Sequence, residues 1–187
     1  MSVGLLSAKD AEEKQVDTTM WGEFRVGDLF EIHPTKAYKM TNAELFDEDG
    51  VNPIVVNSGF NNGIGGFTNK DCTEKAGVIT FTDTAAKSSE SFFYQEEDFV
   101  GYPHVQCMYC KVRDFNAHEE KYITTVLRSA VGNYNFIVKM VRTDIVRLII
   151  RLPTDGDGNP DWEYMDNHMK TIMQRQQNVV DALSKIA

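Results

Sequence analysis

The sequence predicts a mixed α+β fold, a largely antiparallel β module followed by a long C-terminal helix able to form a coiled coil. Three observations carry this. Short β-branched and aromatic runs, bounded by Gly, Asn and Pro, recur through the first part of the chain. Asn116, with Glu119 three residues on, opens a helical period in the manner of a capping box. Met165, Met169, Ile172, Gln176, Val179, Leu183 and Ile186 are spaced 4, 3, 4, 3, 4, 3, a heptad seam.

Residues 1–20 form a polar arm, with Asp10, Glu12, Glu13 and Asp17 but no sustained apolar period. A module then runs over 21–158. Phe24, Val26, Phe30 and Ile32 alternate with polar residues around a turn at Gly27-Asp28, which predicts two short strands. PIVVN (53–57) predicts another, and NNGIGGFTN (61–69) tight turns or bulges, since Asn and Gly tolerate positive φ. GVITFT (77–82) and HVQCMYCKVR (104–113) predict further strands. Tyr122, Val126 and Ala130 then repeat at helical spacing, predicting a helix over 117–130. IVRLIIRL (145–152) predicts a strand ending at Pro153. After a turn-rich TDGDGN, Asn159 is the expected cap of a helix over 159–187 with Pro160 in its first position. That helix either lies on its own module or projects to pair with another helix, in which case Gln176 fixes the register.

The 187 residues, 42% hydrophobic and 25% charged, suit one ordinary globular core. No apolar run approaches the roughly 18 residues of a membrane span, and three cysteines cannot make a disulfide framework. The expectation is a cytoplasmic protein. A net charge of −9 argues against nucleic acid, yet residues 111–151 carry 8 basic and 4 acidic groups, a net +4 segment in an acidic chain.

Catalytic patterns fail one by one. Cys107 and Cys110 have C-x-x-C spacing, but on a strand positions three apart point to opposite faces, and no second pair completes a zinc site. Glu119, Lys121 and Asp98 superficially match a metal-dependent nuclease, although Glu119 is better explained as a capping carboxylate. Asn159-Pro160-Asp161-Trp162 departs from the N-P-P-aromatic loop of amino-methyltransferases by an Asp in place of the second proline. The Gly63, Gly65, Gly66 cluster lacks the context of a dinucleotide loop, and neither G-x-S-x-G nor H-E-x-x-H occurs. A binding protein without metal or cofactor is the better class.

Three stretches in order carry a family resemblance. FRVGDLFEIHPTK (24–36), PIVVNSGFNNGIGGFT (53–68), and NYNFIVKM (133–140) leading to IIRLPTDGDGNPDWEYMDNHMK (149–170) are similar to the target recognition domain of the DNA specificity subunits of type I restriction-modification systems. The resemblance spans about 21–187. It implies a non-catalytic subunit that reads double-stranded DNA for separate methyltransferase and restriction subunits, with the heptad helix as a spacer that packs on a partner helix. The family usually carries two recognition domains and two spacers, whereas one of each fits here, which implies a natural half-subunit, a fragment or a single-module relative; the expectation is that a homodimer through the last helix supplies the second set.

Candidate DNA contacts are Asn61, Asn62 and Lys70 in the turn region, Thr84, Lys87, Ser88 and Ser89 after the 77–82 strand, and Tyr134, Asn135, Lys139 and Arg142 in the basic segment. The competing explanation for Asn61 and Asn62 is backbone geometry, and for Lys87 to Ser89 plain solvation. A third class, an acidic DNA mimic that inhibits a restriction enzyme, would use Glu96, Glu97 and Asp98 as phosphate stand-ins.

Overall fold

In the computed structural model, which describes residues 18–83, 90–132 and 141–185, the first described strand is β1, Trp21–Arg25. One helical turn, α1 (Val26–Leu29), separates it from β2 (Phe30–Pro34). Then follow α2 (Asn42–Leu45), β3 (Asn52–Val55), a single 3-10 turn at Asn61–Gly63, β4 (Ile64–Thr68), β5 (Val78–Thr82), β6 (Phe93–Gln95), β7 (Val100–Gly101) and β8 (Val105–Cys110). The remainder is α3 (Ala117–Ala130), α4 (Arg142–Arg147), β9 (Ile149–Pro153) and α5 (Trp162–Ser184).

The strands form three small sheets. β2, β8, β5 and β6 make a four-stranded antiparallel sheet in that order; β4, β3 and β7 make a three-stranded one whose β3–β7 pair is parallel; β1 and β9 pair antiparallel. The expected mixed and largely antiparallel α+β architecture with a long C-terminal helix is what forms. β8 shows how the layers stack. Met108 enters the main core with Phe30, Ile79, Ile123, Leu127, Ile150 and Met165, while Val105 and Cys107 enter a second cluster with Val55, Val78 and Phe99. Cys110 packs against the first cluster, so the two cysteines do face opposite ways. Buried Glu74 accepts from the Lys36 backbone N–H (2.5 Å) and the Tyr109 hydroxyl (2.6 Å), fixing the loop after β2 to β8.

The 117–130 helix forms as predicted. Asn116 Oδ1 accepts from the N–H groups of His118 (2.9 Å) and Glu119 (3.1 Å), and Glu119 reaches back to Asn116 N–H (2.9 Å). Three expectations need correction. The 145–152 strand is shorter, because Arg142–Arg147 turns as α4, burying Ile145 and packing on α1, and the strand starts only at Ile149. The Gly-rich stretch is not all turn. Asn61, Asn62 and Gly63 have φ of 50°, 54° and 77°, but Gly65 and Gly66 lie within β4, where a Cβ would stand 2.6 Å from Val56 Cγ2 and 2.5 Å from Phe46 Cδ1. There they permit close packing, beside a register shift at Ile54/Val55. Finally, Asp161, not Asn159, caps α5, accepting from Tyr164 N–H (2.9 Å), because Asn159 N–H is held by Asp155 (2.9 Å) in the preceding turn.

Candidate nucleic-acid interface and partner helix

Of the expected DNA contacts, Thr84, Lys87, Ser88, Ser89, Tyr134, Asn135 and Lys139 lie outside the described residues, while residues flanking both stretches are described. Before the first of these stretches, the Asp83 carboxylate accepts from Gln106 Nε2 (3.3 Å) and lies 3.3 Å from His104 Nδ1. After it, the Phe92 carbonyl accepts from Arg128 Nε (2.8 Å) in the last turn of α3. Phe92 and Val131 are both buried in the main core cluster.

The Asn61–Gly63 turn reaches this end of the module too. Gly59 packs against Glu90, where a Cβ would stand 3.4 Å from the Glu90 Cβ. Asn62 Nδ2 donates to Tyr94 O (3.1 Å) and Gln95 Oε1 (3.3 Å), and Gln95 Nε2 returns a bond to Asn62 O (3.1 Å) and another to Thr80 Oγ1 (2.8 Å). Asn61 Nδ2 donates to Ile64 O (3.2 Å). Both Asn side chains therefore already hold the turn. Beside it lies a cleft of about 570 Å³ lined by Asn62, Phe93, Tyr94, Lys121, Thr124 and Arg128 among others. The Arg128 guanidinium stacks 4.8 Å over the Phe93 ring, and burial lowers its pKa. Arg128, Gln95 and the exposed Phe60 went unnoticed in the sequence; an Arg or Gln in an amphipathic setting gives no local sign of which carbonyl it will meet.

Lys70 and Arg142 stand apart. Lys70 lies past the far end of β4, where its carbonyl accepts from Asn52 Nδ2 (2.8 Å). Arg142 opens α4, on the α1 side of the module. Most cations of the basic segment are engaged in structure: Lys111 with Gly27 O, Arg113 with Glu119, Lys121 with Glu96, Arg128 with Phe92 O and Arg151 with Thr18 O. Among the described residues of that segment, exposed Arg142 and Arg147 make no ion pair.

Carboxylates are similarly occupied. Glu96 pairs with Lys121, and Asp98 with Lys75 (2.6 Å) and Ala76 N–H (2.9 Å), so two of the three carboxylates of the acidic run are tied into the fold and only Glu97 of that run is left to solvent. Glu119, Lys121 and Asp98 sit in separate pairings, and among the described residues no group of three or more His, Cys, Asp or Glu could hold a metal.

The heptad seam divides into two halves. Met165 is wholly buried in the module's own core, Met169 packs against it, and Ile172 is half-buried near Trp21 and Tyr122. Gln176, Val179 and Leu183 are exposed, the last two by 59% and 61%, and Ile186 lies outside the described residues. The first turns lie on the module and the rest projects.

Three solved structures have the same fold: the S subunit of a type I restriction-modification system from M. genitalium (TM-score 0.57, 10% identity, 90% of this chain and 44% of that one), the HsdS subunit from Thermoanaerobacter tengcongensis (TM-score 0.52, 12% identity, 95% and 42%), and a chain from a type I restriction-modification complex (TM-score 0.56, 14% identity, 94% and 43%). The sequence is 26% identical over 149 residues to the specificity subunit S.BcgI of a type II restriction enzyme from Heyndrickxia coagulans, covering 80% of this chain and 42% of that protein. The chain thus spans less than half the length of these relatives. Residues 19–182, nearly the whole sequence, match the family described as type I restriction modification DNA specificity domain, and the chain belongs to that family.

Proposed function

We propose that the chain is a specificity half-subunit: its module at 21–158 reads a sequence in double-stranded DNA and directs partner methyltransferase and restriction subunits to it, while the helix at 159–187 pairs two copies. The reading includes no catalytic role for this chain and no cofactor, and a cytoplasmic location; among the described residues no helix is long and apolar enough to cross a membrane. The observation that carries it is that the braced Asn61–Gly63 turn, Glu90 and the last turn of α3, tied by Arg128 to Phe92 O, lie together at one end of the β module, since loops braced by a scaffold are where recognition residues sit. Phosphate contacts come from Lys87 and Lys139 and, away from that end, from Arg142 where α4 opens, and base contacts from the polar residues of the loops.

Pairing rests on the bare half of α5. Exposed Val179 and Leu183 continue a seam whose first half is already buried, and an apolar stripe on a projecting helix is stable when another helix covers it. A two-fold axis through the projecting turns buries the stripe isologously and presents two modules to a split target. The test is co-purification of the chain with a methyltransferase subunit, followed by mapping the methylated positions. A bipartite, symmetric methylation pattern is expected. Failure of the chain to redirect methylation when transferred between otherwise identical systems overturns the reading.

A further inference from the structure

Phe60 stands out at the end of the module that holds the Asn61–Gly63 turn. Its side chain is 78% exposed, whereas the aromatic side chains nearest in the chain's own fold at that end, Phe92 and Phe93, are buried or half-buried. Exposed aromatics on a mobile loop carry little meaning, but this one sits on a braced turn. The Phe60 N–H donates to Ser58 Oγ (3.1 Å), the Phe60 carbonyl accepts from Gly63 N–H (2.9 Å), and the two following residues hold left-handed φ of 50° and 54°. Asn62 is bonded in turn to both Tyr94 and Gln95 of β6. Left-handed backbone in two successive non-glycine residues costs energy that the Asn62–Gln95 exchange offsets. The outcome is an aromatic ring held out from the body, one residue from the Gly59–Glu90 contact.

From this geometry we infer that Phe60 is a wedge that stacks on or inserts between base pairs of the bound duplex. This rests on the DNA-recognition reading above and deepens it. A ring has no donor or acceptor to read base edges, so its contribution is to affinity and to DNA shape. Insertion unstacks one base step, which is cheapest at flexible pyrimidine–purine steps, and thereby gives sequence preference at a position that no hydrogen bond reads. The bracing of the turn serves this directly, since a ring fixed before binding loses little entropy on insertion.

The test uses the full chain with its methyltransferase subunit and duplexes carrying the mapped target, with 2-aminopurine placed along it in turn. Phe60→Ala is expected to weaken target binding by roughly tenfold, the scale of one lost base–aromatic stack, without changing the slope of log affinity against log salt. The wild-type complex should raise 2-aminopurine fluorescence at one step, and Phe60→Ala should abolish that rise. Phe60→Trp should retain affinity, with its indole emission quenched on binding. Because Phe60 is exposed, the variants should melt with the wild type. Wild-type target binding accompanied by a Phe60→Ala variant of equal affinity and equal 2-aminopurine response overturns the wedge alone. Absence of duplex binding by the wild-type complex overturns the recognition reading and the wedge with it.

Discussion

Replacing Glu120 by Gln tests how the fold treats a carboxyl placed inside it. Glu120 is 2% exposed on the face of α3 that meets the β sheet, and its Oε2 has no hydrogen-bond partner. Burial, with a smaller push from the neighbouring Glu119, raises its pKa from 4.5 to about 8. The folded chain therefore holds this proton at neutral pH and the unfolded chain does not. Between pH 4.5 and 8 the folded state binds the extra proton, so stability falls as pH rises, by about 1.4 kcal/mol per pH unit from this group alone. The group's contribution is most favourable below pH 4.5, and the loss levels off above pH 8. At pH 7 the cumulative loss is about 3 kcal/mol, a large share of the stability of a domain this size. Gln has the same shape and no proton to lose. Its amide brings a donor that costs about 1–3 kcal/mol if it finds no partner, but that cost is the same at every pH. The measurement is urea denaturation of both proteins at half-unit steps from pH 5 to pH 7.5. Glu120→Gln should gain on the wild type by about 3 kcal/mol across that range. Parallel stability curves would refute the argument and mean that Glu120 ionises freely in the folded protein.

Val179→Asp combined with Leu183→Asp should leave the module folded and convert the proposed dimer to a monomer, read by sedimentation; a wild type that is itself monomeric at tens of micromolar removes the homodimer. Arg142→Ala, and separately Lys139→Ala in the 133–140 segment, should weaken duplex binding across sequences and reduce the salt slope by roughly one unit each; unchanged slopes take them off the DNA face. Asn116→Ala removes the acceptor for two N–H groups of α3 and should cost about 1 kcal/mol, or a melting shift of about 2–4 °C, measured by calorimetry.

What could be read ahead of the structure was local. The Asn116–Glu119 box involves groups three residues apart, so it shows in the sequence, and the β5 and β8 strands announce themselves through runs of β-branched and apolar residues. β4 stayed hidden because its glycines are small for the sake of Val56 and Phe46, a demand made by neighbours and invisible in the glycines themselves. α4 was hidden for a different reason. Ile145 and Val146 favour strand intrinsically, yet burial of Ile145 in the main core rewards one helical turn there instead. At the candidate site, the loops were visible as polar stretches, but the bond by which Arg128 ties the last turn of α3 to Phe92 O joins residues 36 positions apart in the sequence. Charge counting misled in the same way. The net +4 of 111–151 overstates the free cations, because Lys111, Arg113, Lys121, Arg128 and Arg151 are spent on internal acceptors.

The β1–β9 pairing brings the strand that enters the module alongside the strand that leaves it, with Trp21 opposite Pro153 and Arg25 opposite Ile149. A unit whose inlet and outlet lie side by side is a cassette. It can be exchanged with both joints made at one spot, provided that its replacement keeps the seat in the core that Met165 and Met169 of the last helix fill. Under the proposed function, changes to the loops leave the exposed turns around Val179 and Leu183 free for assembly. New target sequences become accessible by exchange of whole modules, as well as by point substitution at the loop tips.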